Sequence, residues 1–427
     1  MSKRVVIIGA GVIGLATAYY CAQRGFKVTV VERKAAERDG TSFGNAGMVV
    51  PSHFIPLAAP GMVALGLKWM WNPASPFYIQ PRLDADLIGW GLRFIRAANE
   101  HHVRRSAPLL RDLSLASRKC FEEIAALPGV EFGLVKRGLL MLCQSEAVLE
   151  EEEKTAQEAR RLGIPAEVLN AKQTAALDSG ARMNIVGAVH FPLDCHLSPA
   201  RFMSVLQQQC EQLGVAFCWN REVTDWKIED RGVRSLKVTT SKSDFASNAV
   251  DEIEADEFVV CGGAWSTKIA ERLRLKIPMQ AGKGYSLTLP EPRQLPQICS
   301  ILTEARVAVT PMGKTLRVGG TMEIAGLNED INPMRVCGIV NSFCRYFPEF
   351  QPSDFAGVEP WRGLRPCSPD GLPYLGRAEK FSNLSVATGH AMMGLSLGPV
   401  SGKLMAQILA NETPSFDLTL LSPDRFS

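Results

Sequence analysis

The stretch VVIIGAGVIGLATAYYCAQRGFKVTVVER, from Val5 to Arg33, constrains the fold more than any other part of the chain. Val5–Ile8 is a continuous β-branched run, the composition of a strand buried on both faces. Gly9-x-Gly11-x-x-Gly14 follows and opens a helix that runs to about Arg24 and is closed by Gly25. Lys27–Glu32 reads as the second strand. In this setting each glycine has its own task. Gly9 permits the tight turn, Gly11 lets the backbone approach a pyrophosphate, and Gly14 lets helix and strand pack closely. The helix N-terminus presents N–H donors and the positive end of its dipole to phosphates. Glu32 stands where a carboxylate accepts from ribose hydroxyls, and its charge argues against NADP. The unit is dinucleotide-binding, but alone it does not separate NAD from FAD.

Composition limits the partners. With 427 residues, the chain suits two domains or one large interwoven body. A net charge of +3 is too small to argue for nucleic acid or an anionic membrane. The eleven cysteines include no CxxC pair, and no histidine lies at ligand spacing from Cys210/Cys218 or Cys337/Cys344. Reduced, mostly buried thiols of a cytosolic protein are expected, with no metal site. Val5–Ile8 is too short for the core of a secretion signal, and no uncharged apolar run reaches the roughly 20 residues of a membrane span. Pro56–Trp71, PLAAPGMVALGLKWMW, is expected to be loop plus a partly buried helix. Trp69 and Trp71 around Lys68 offer the competing reading, a patch for a membrane surface or a partner. The expected location is cytoplasmic, with a peripheral contact at the inner membrane face as the further option.

Residues 40–60 are loop, being rich in Gly, Pro, Ser and Asn. Leu83–Leu127 has helical periodicity, Gly138–Ser145 reads as a strand, and Glu146–Gly163 as a charged amphipathic surface helix. Ser198 is expected as an N-cap with Pro199 at the first helical position. Further strands are expected at Val215–Trp219, within Glu252–Thr267 before a glycine turn, and at Gly284–Leu289, Val307–Thr310 and Thr315–Gly319. Val386–Leu409 reads as strand, turn and final helix.

Three segments bear on which dinucleotide binds: TSFGNAGMVVPS (Thr41–Ser52), VVCGGAWS (Val259–Ser266) and VATGHAMMGLSLGPVSGKLMAQIL (Val386–Leu409). An NAD enzyme has no need to return to its first βαβ unit from the far end of the chain, whereas a long flavin does. Together with GKGYSLTLP (Gly282–Pro290) and GLRPCSPDGLPYLG (Gly363–Gly376), this set resembles the FAD-dependent amine and amino-acid oxidoreductases of the D-amino-acid oxidase superfamily. Within it, the order and spacing resemble the bacterial D-amino-acid dehydrogenase type, including D-hydroxyproline dehydrogenase-like members. The resemblance covers nearly the whole chain.

The resemblance implies an α/β fold: a Rossmann-like FAD-binding domain plus a substrate domain with a mixed, largely antiparallel sheet and capping helices. Residues 1–80, 190–270 and 350–427 would form the first, and residues 81–189 and 271–349 the second. Gly9, Gly11, Gly14 and Glu32 would hold the ADP half, with Arg33 near the adenosine. Ser42, Asn45, Ala46, Gly47 and Met48 would run along pyrophosphate, ribityl chain and isoalloxazine. Val223 would flank the adenine, and Gly262 and Gly263 would cover the ADP side. Gly394, Leu395 and Ser396 would offer N–H groups at the final helix N-terminus to the flavin, with His390 in the loop before them.

For chemistry, the resemblance implies hydride transfer from Cα of a D-amino acid to flavin N5, leaving an imine, and then transfer of the electrons to a quinone, dioxygen or a partner protein. Arg365 matches the carboxylate clamp, with Arg362 as competitor, because a guanidinium fork fits a carboxylate. Tyr285 would hydrogen-bond the substrate, and His53 would line the site. The remaining histidines, His101, His102, His190 and His196, are read as structural. Two departures refine the picture. Gly363 falls where sarcosine oxidases carry a flavin-linking cysteine, and Cys367 is out of register, so noncovalent FAD is expected. Met392 and Met393 stand in the loop where glycine-oxidase-like relatives add an arginine, which favours a substrate with an apolar or cyclic body, such as D-proline or cis-4-hydroxy-D-proline.

Overall fold

The computed structural model describes residues 2–69, 75–240 and 250–427. Two sheets face a shared cleft. The first has six strands in the order Tyr374–Arg377, Leu384–Thr388, Glu257–Val260, Arg4–Ile8, Lys27–Val31 and Ala216–Cys218. All its pairs are parallel except Tyr374–Arg377 with Leu384–Thr388. Arg4–Ile8 is central and buried beyond its first residue, as its β-branched run requires. Its register sets Ile8 beside both Val31 and Val260, so three strand ends converge at the glycine turn.

Helices Val12–Gln23, Glu100–Ala125, Pro199–Gln212 and Gly398–Leu409 supply one large apolar cluster against this sheet. The first and last of these cross closely because Gly402 and Gly398 lie against Ala16 and Val12, where a Cβ would collide. Leu15, Leu206 and Leu404 are buried there, and each such leucine stabilises the fold by roughly 1.5–3 kcal/mol. The opposite face is covered by a three-stranded sheet, Arg221–Glu229, Gly232–Thr240 and Asp251–Glu254, through Trp226, Val233, Leu236 and Val238.

The second sheet runs Trp361–Cys367, Gln280–Leu289, Thr315–Ile324, Val307–Met312, Cys299–Leu302, Leu139–Cys143, Gly187–Phe191 and Glu167–Asn170, with Phe77–Ile79 also paired to Thr315–Ile324. It is mixed and largely antiparallel. Its parallel pairs are Cys299–Leu302 with Leu139–Cys143 and Thr315–Ile324 with Phe77–Ile79. Helix Pro333–Tyr346 backs it, and Phe343, Phe347, Phe350 and Phe355 pack edge-on and stacked beneath it.

The sequence division and the packing differ in several places, three of which involve whole elements. Phe77–Ile79 and Trp361–Cys367 belong to the second sheet, although both fall in ranges assigned to the FAD side. Helix Glu100–Ala125 packs through Leu110, Leu113 and Phe121 into the first core, although it falls in a range assigned to the substrate side.

Local differences have local causes. Leu83–Leu127 is two helices, Ala85–Ala97 and Glu100–Ala125, because Asn99 caps the second with its side chain on His102 N–H. Glu252–Thr267 holds two strands and a short 3-10 turn rather than one strand. Ser198 is the N-cap and Pro199 follows, but the serine side chain makes no capping bond. Trp71 lies outside the described residues. Trp69 ends helix Met62–Trp69 and lines the cleft rather than an outer patch.

Candidate active site

The cleft is a cavity of about 640 Å³ that runs from the glycine turn to the second sheet. At the first end, Gly9 has φ +106°, a left-handed conformation that an L side chain rarely adopts. A Cβ on Gly9 would strike the carbonyl of Cys261, and one on Gly14 would strike the carbonyl of Gly9. Gly14 does not line the cavity; its task is close packing. Helix Val12–Gln23 has no acidic residue in its first turn, and its Val12 N–H donates to Ser42 Oγ at 3.0 Å. That end is therefore favourable to an anion.

Glu32 accepts from Ala10 N–H at 2.8 Å and Lys34 N–H at 2.9 Å, which fixes its carboxylate on the cavity wall. Arg33 lies over the Trp265 ring at 3.6 Å, and Val223, Gly262 and Gly263 line the same region. Sequence reasoning missed Arg38. Its Nε and Nη2 both donate to Ala10 O, at 3.0 and 2.8 Å, and it stacks near Trp219 at 4.7 Å. Burial holds its pKa down, against the charge of Glu32.

The middle of the cavity is a loop held from behind. Asn45 Oδ1 accepts from Gly47 N–H at 2.8 Å, and Gly47 has φ +77° with its Cβ position filled by the Leu197 carbonyl. Ser42, Asn45, Ala46 and Met48 line the cavity, but Gly47 does not: it turns the chain. Arg317, also missed, donates to the carbonyls of Phe43 at 3.0 Å and Asn45 at 2.8 Å. Burial pushes its pKa down to about 10. Neither arginine stands in a motif, so no sequence signal marks them.

Gly394, Leu395 and Ser396 line the cavity, yet the final helix starts only at Gly398, after a 3-10 turn at Ala391–Met393. These three residues thus precede the helix rather than form its first turn. Ser396 Oγ accepts from Val50 N–H at 3.1 Å and ties this segment to the Thr41–Ser52 segment. His390 sits beside Ser401 Oγ at 2.9 Å, and burial pushes its pKa down to about 3, so its ring is neutral.

At the far end, Arg365 lies across Gly284, where any Cβ would meet the guanidinium. Its Nη1 donates to Thr321 O at 2.7 Å, and burial lowers its pKa. Among the described residues, no carboxylate comes within ion-pair distance of it. Arg362 lines the cavity too, but it pairs with Asp39 at 3.4 Å and Glu329 at 3.7 Å. Tyr285 contributes to the wall, but its hydroxyl is turned away from the role expected of it. It donates to Glu323 at 2.8 Å and accepts from Asn332 N–H at 3.3 Å inside the second core. Its pKa is raised by burial and then by Glu323. His53 lines the cavity, with Nδ1 3.0 Å from Ser52 Oγ. Met48, Met141, Met322, Met392 and Met393 make this end apolar. Gly363 is pressed against the Trp361 indole. The Cys367 thiol lies nearby but not on the cavity wall, and burial pushes its pKa up to about 11. All eleven cysteines are free.

A Cβ-free turn, an anion-ready helix end, a fixed carboxylate and a long cleft between two sheets together fit a large dinucleotide. Residues 4–408 match the model of the family described as FAD dependent oxidoreductase. The chain belongs to that family and uses FAD. It is 32% identical over 429 residues to the D-amino acid dehydrogenase of Rhizobium rhizogenes, covering 99% of this chain and 100% of that one. It is 30% identical over 433 residues to the D-amino acid dehydrogenase of Bradyrhizobium diazoefficiens, covering 99% of each. Among solved structures, glycine oxidase from Geobacillus kaustophilus superposes with a TM-score of 0.77 at 23% identity, covering 100% of both chains. L-proline dehydrogenase from P. horikoshii superposes at 0.72 with 15% identity, covering 100% of this chain and 98% of that one. These two likenesses concern the fold.

Proposed function

We propose that the chain oxidises a D-amino acid to its imine, which water converts to the 2-oxo acid and ammonia, or which remains a cyclic imine when the substrate is a cyclic imino acid. The observation that carries this reading is Arg365, a partly buried guanidinium on the cavity wall with no carboxylate partner among the described residues. A cation in that state is incomplete until an anion joins it, and a fork of donors suits a carboxylate. The relatives named D-amino acid dehydrogenase support the choice of substrate class.

Bound FAD supplies the two-electron acceptor for the substrate Cα–H. The protein's own work is to bind and orient. Gly9, Gly11, Glu32 and the Ser42–Met48 segment would hold the cofactor, without a covalent link because Gly363 has no side chain and Cys367 does not reach the cavity. Arg365 holds the carboxylate end, and the methionine wall receives an apolar side chain and excludes water. That wall favours larger or cyclic substrates, D-proline and cis-4-hydroxy-D-proline included, over glycine or sarcosine. Burial pushes His53 down to about 4, so at neutral pH it is an uncharged imidazole, with one ring nitrogen a donor and the other an acceptor.

The test is a panel of D- and L-amino acids, prolines included, scored by anaerobic bleaching of the flavin. Bleaching by D-isomers is expected; bleaching by L-isomers alone, or by none, sinks the reading. Turnover with dioxygen and with a quinone-like dye then separates an oxidase from a dehydrogenase, and both from a subunit that only carries electrons for a partner.

A peripheral membrane contact is the second part of the proposal. Ile88, Leu92 and Ile95 are more than half exposed on helix Ala85–Ala97, at the spacing of one face, and Leu83 precedes them fully exposed. Among the described residues, no helix is long and apolar enough to cross a membrane. Co-sedimentation with lipid vesicles, lost in Leu92→Glu, is expected; equal sedimentation of both proteins removes this part.

A further inference from the structure

Behind His53 lies a carboxylate that the reaction described so far does not use. Asp194 is fully buried in the turn between strands Gly187–Phe191 and Cys195–His196. The pairing of Val49 with Cys195 brings that turn beside residue 52. Ser52, only 7% exposed, binds the carboxylate twice: its N–H donates to Oδ1 at 3.1 Å, and its Oγ lies 2.5 Å from Oδ2. The same Oγ lies 3.0 Å from His53 Nδ1. Among the described residues, the other ring nitrogen, Nε2, has no partner, and His53 lines the cavity.

We infer that Asp194, Ser52 and His53 form a proton relay that carries a substrate ammonium proton from the cavity to a buried carboxylate. The inference rests on the amino-acid reading above. The donor count permits two complete states. With Asp194 ionised, Ser52 O–H donates to Oδ2, His53 Nδ1–H donates to Ser52 Oγ, and Nε2 offers a lone pair to the cavity. With Asp194 protonated, Oδ2–H donates to Ser52 Oγ, Ser52 O–H donates to Nδ1, and Nε2 carries the proton. Passing from the first to the second breaks one N–H bond of the substrate ammonium and forms Nε2–H. It breaks Nδ1–H and forms a new Ser52 O–H, while the old Ser52 O–H becomes Oδ2–H. His53 stays neutral throughout and only exchanges tautomer.

The electrostatics agree. Burial pushes the Asp194 pKa up to about 7, against the two Ser52 hydrogen bonds and the charge of Arg118. A proton acceptor near neutrality is well matched to general-base work. The other titratable neighbours of Asp194 are the Cys195 and Cys299 thiols, both held protonated by burial. Arg306 faces His53 and disfavours an imidazolium there.

Two measurements on the FAD-loaded protein test the relay. The first is the ¹⁵N spectrum of labelled histidine, with His53→Gln assigning the signal. As pH rises through neutrality, the His53 proton should move from Nε2 to Nδ1, and Asp194→Asn should abolish the movement. A tautomer that ignores pH in the wild type overturns the relay, and this readout needs no substrate. The second is the pH profile on the best D-amino acid. Asp194 must be ionised to accept, so wild-type kcat/KM should fall as pH drops through about 7. Asp194→Asn and Ser52→Ala should each lose about a hundredfold at high pH, mainly in kcat, and lose that acid limb. Variants that keep the wild-type profile overturn the relay while leaving the substrate reading intact. A pH-dependent tautomer in a protein that no amino acid reduces supports the hydrogen-bonded relay and removes the substrate reading instead.

Discussion

The two ends of the cavity are made of different material. The dinucleotide end is mostly backbone: a turn at Gly9, the N–H groups of a helix start, and one carboxylate held by main-chain donors at Ala10 and Lys34. The substrate end is made of side chains, Arg365, His53 and five methionines, brought together from strands and loops far apart in the chain. A site of backbone tolerates almost no added atom but asks little of side-chain identity. A site of side chains has the opposite tolerance. Substitutions at the two ends should therefore fail in different ways, one by loss of fold and flavin, the other by loss of turnover alone.

The largest effect is expected at Gly14. A Cβ there would occupy the position of the Gly9 carbonyl oxygen, so valine can fit only if the helix moves off the strand. A loss of about 4 kcal/mol or more is expected, read as little soluble protein or a sharply lowered Tm with no flavin. A stable, yellow Gly14→Val protein would erase the contrast between the ends.

Arg365 comes next and should show the opposite signature. Arg365→Ala would remove one partner of the proposed, partly shielded pair with the substrate carboxylate, a loss of roughly 3–5 kcal/mol. In kcat/KM that is on the order of a hundred- to several-thousandfold. Lysine keeps the charge but not the fork and should recover part of the loss. FAD occupancy should stay normal in both variants. Loss of flavin or of folding in Arg365→Ala would mean that its packing over Gly284 is its main task.

The same contrast explains what could be read from the sequence. Gly9, Gly11, Gly14 and Glu32 were legible because a turn is written in neighbouring residues. Arg38, Arg317 and Asp194 were not, because each has meaning only through what folds against it. Arg317 meets Asn45 across 272 positions, and Ser52 meets Asp194 across 142. Tyr285 shows the limit from the other side. Strand alternation gives it a face, but a register shift between Lys283 and Tyr285 and the carboxylate of Glu323 decide where its hydroxyl points. Likewise, the segment before the last helix was recognisable, while the 3-10 turn that sets Gly394–Ser396 ahead of that helix was not.

A smaller effect is expected at Glu32, the carboxylate of the backbone end. Glu32→Ala leaves two N–H groups without their acceptor and would remove the proposed charge-assisted bond to the cofactor ribose. FAD affinity should weaken by roughly 1.5–3 kcal/mol, while the folded state persists. Fluorescence titration of the flavin-free protein measures it. Unchanged affinity would put the ribose elsewhere.

The smallest effect belongs to Arg362, and it sharpens the comparison most. Arg362 stands three residues from Arg365 on the same strand and lines the same cavity, so by position alone it is an equal candidate for the clamp. Its chemistry is different. Nη1 pairs with Asp39 at 3.4 Å, Nη2 with Glu329 at 3.7 Å, and Nε donates to Glu329 O at 3.2 Å. The side chain is 28% exposed and its two acidic partners are more exposed still, so water screens these pairs. Contacts of this kind contribute about 0–1 kcal/mol. Its charge is already matched by two carboxylates, and a substrate carboxylate would have to displace one of them to bind. Arg362→Ala should therefore change kcat/KM by less than about fivefold and leave Tm nearly unmoved. Steady-state kinetics of Arg362→Ala beside Arg365→Ala decide between the two. A hundredfold loss at Arg362 with little at Arg365 would exchange their roles, and it would show that an unpaired guanidinium is no guide to the substrate end of this cavity.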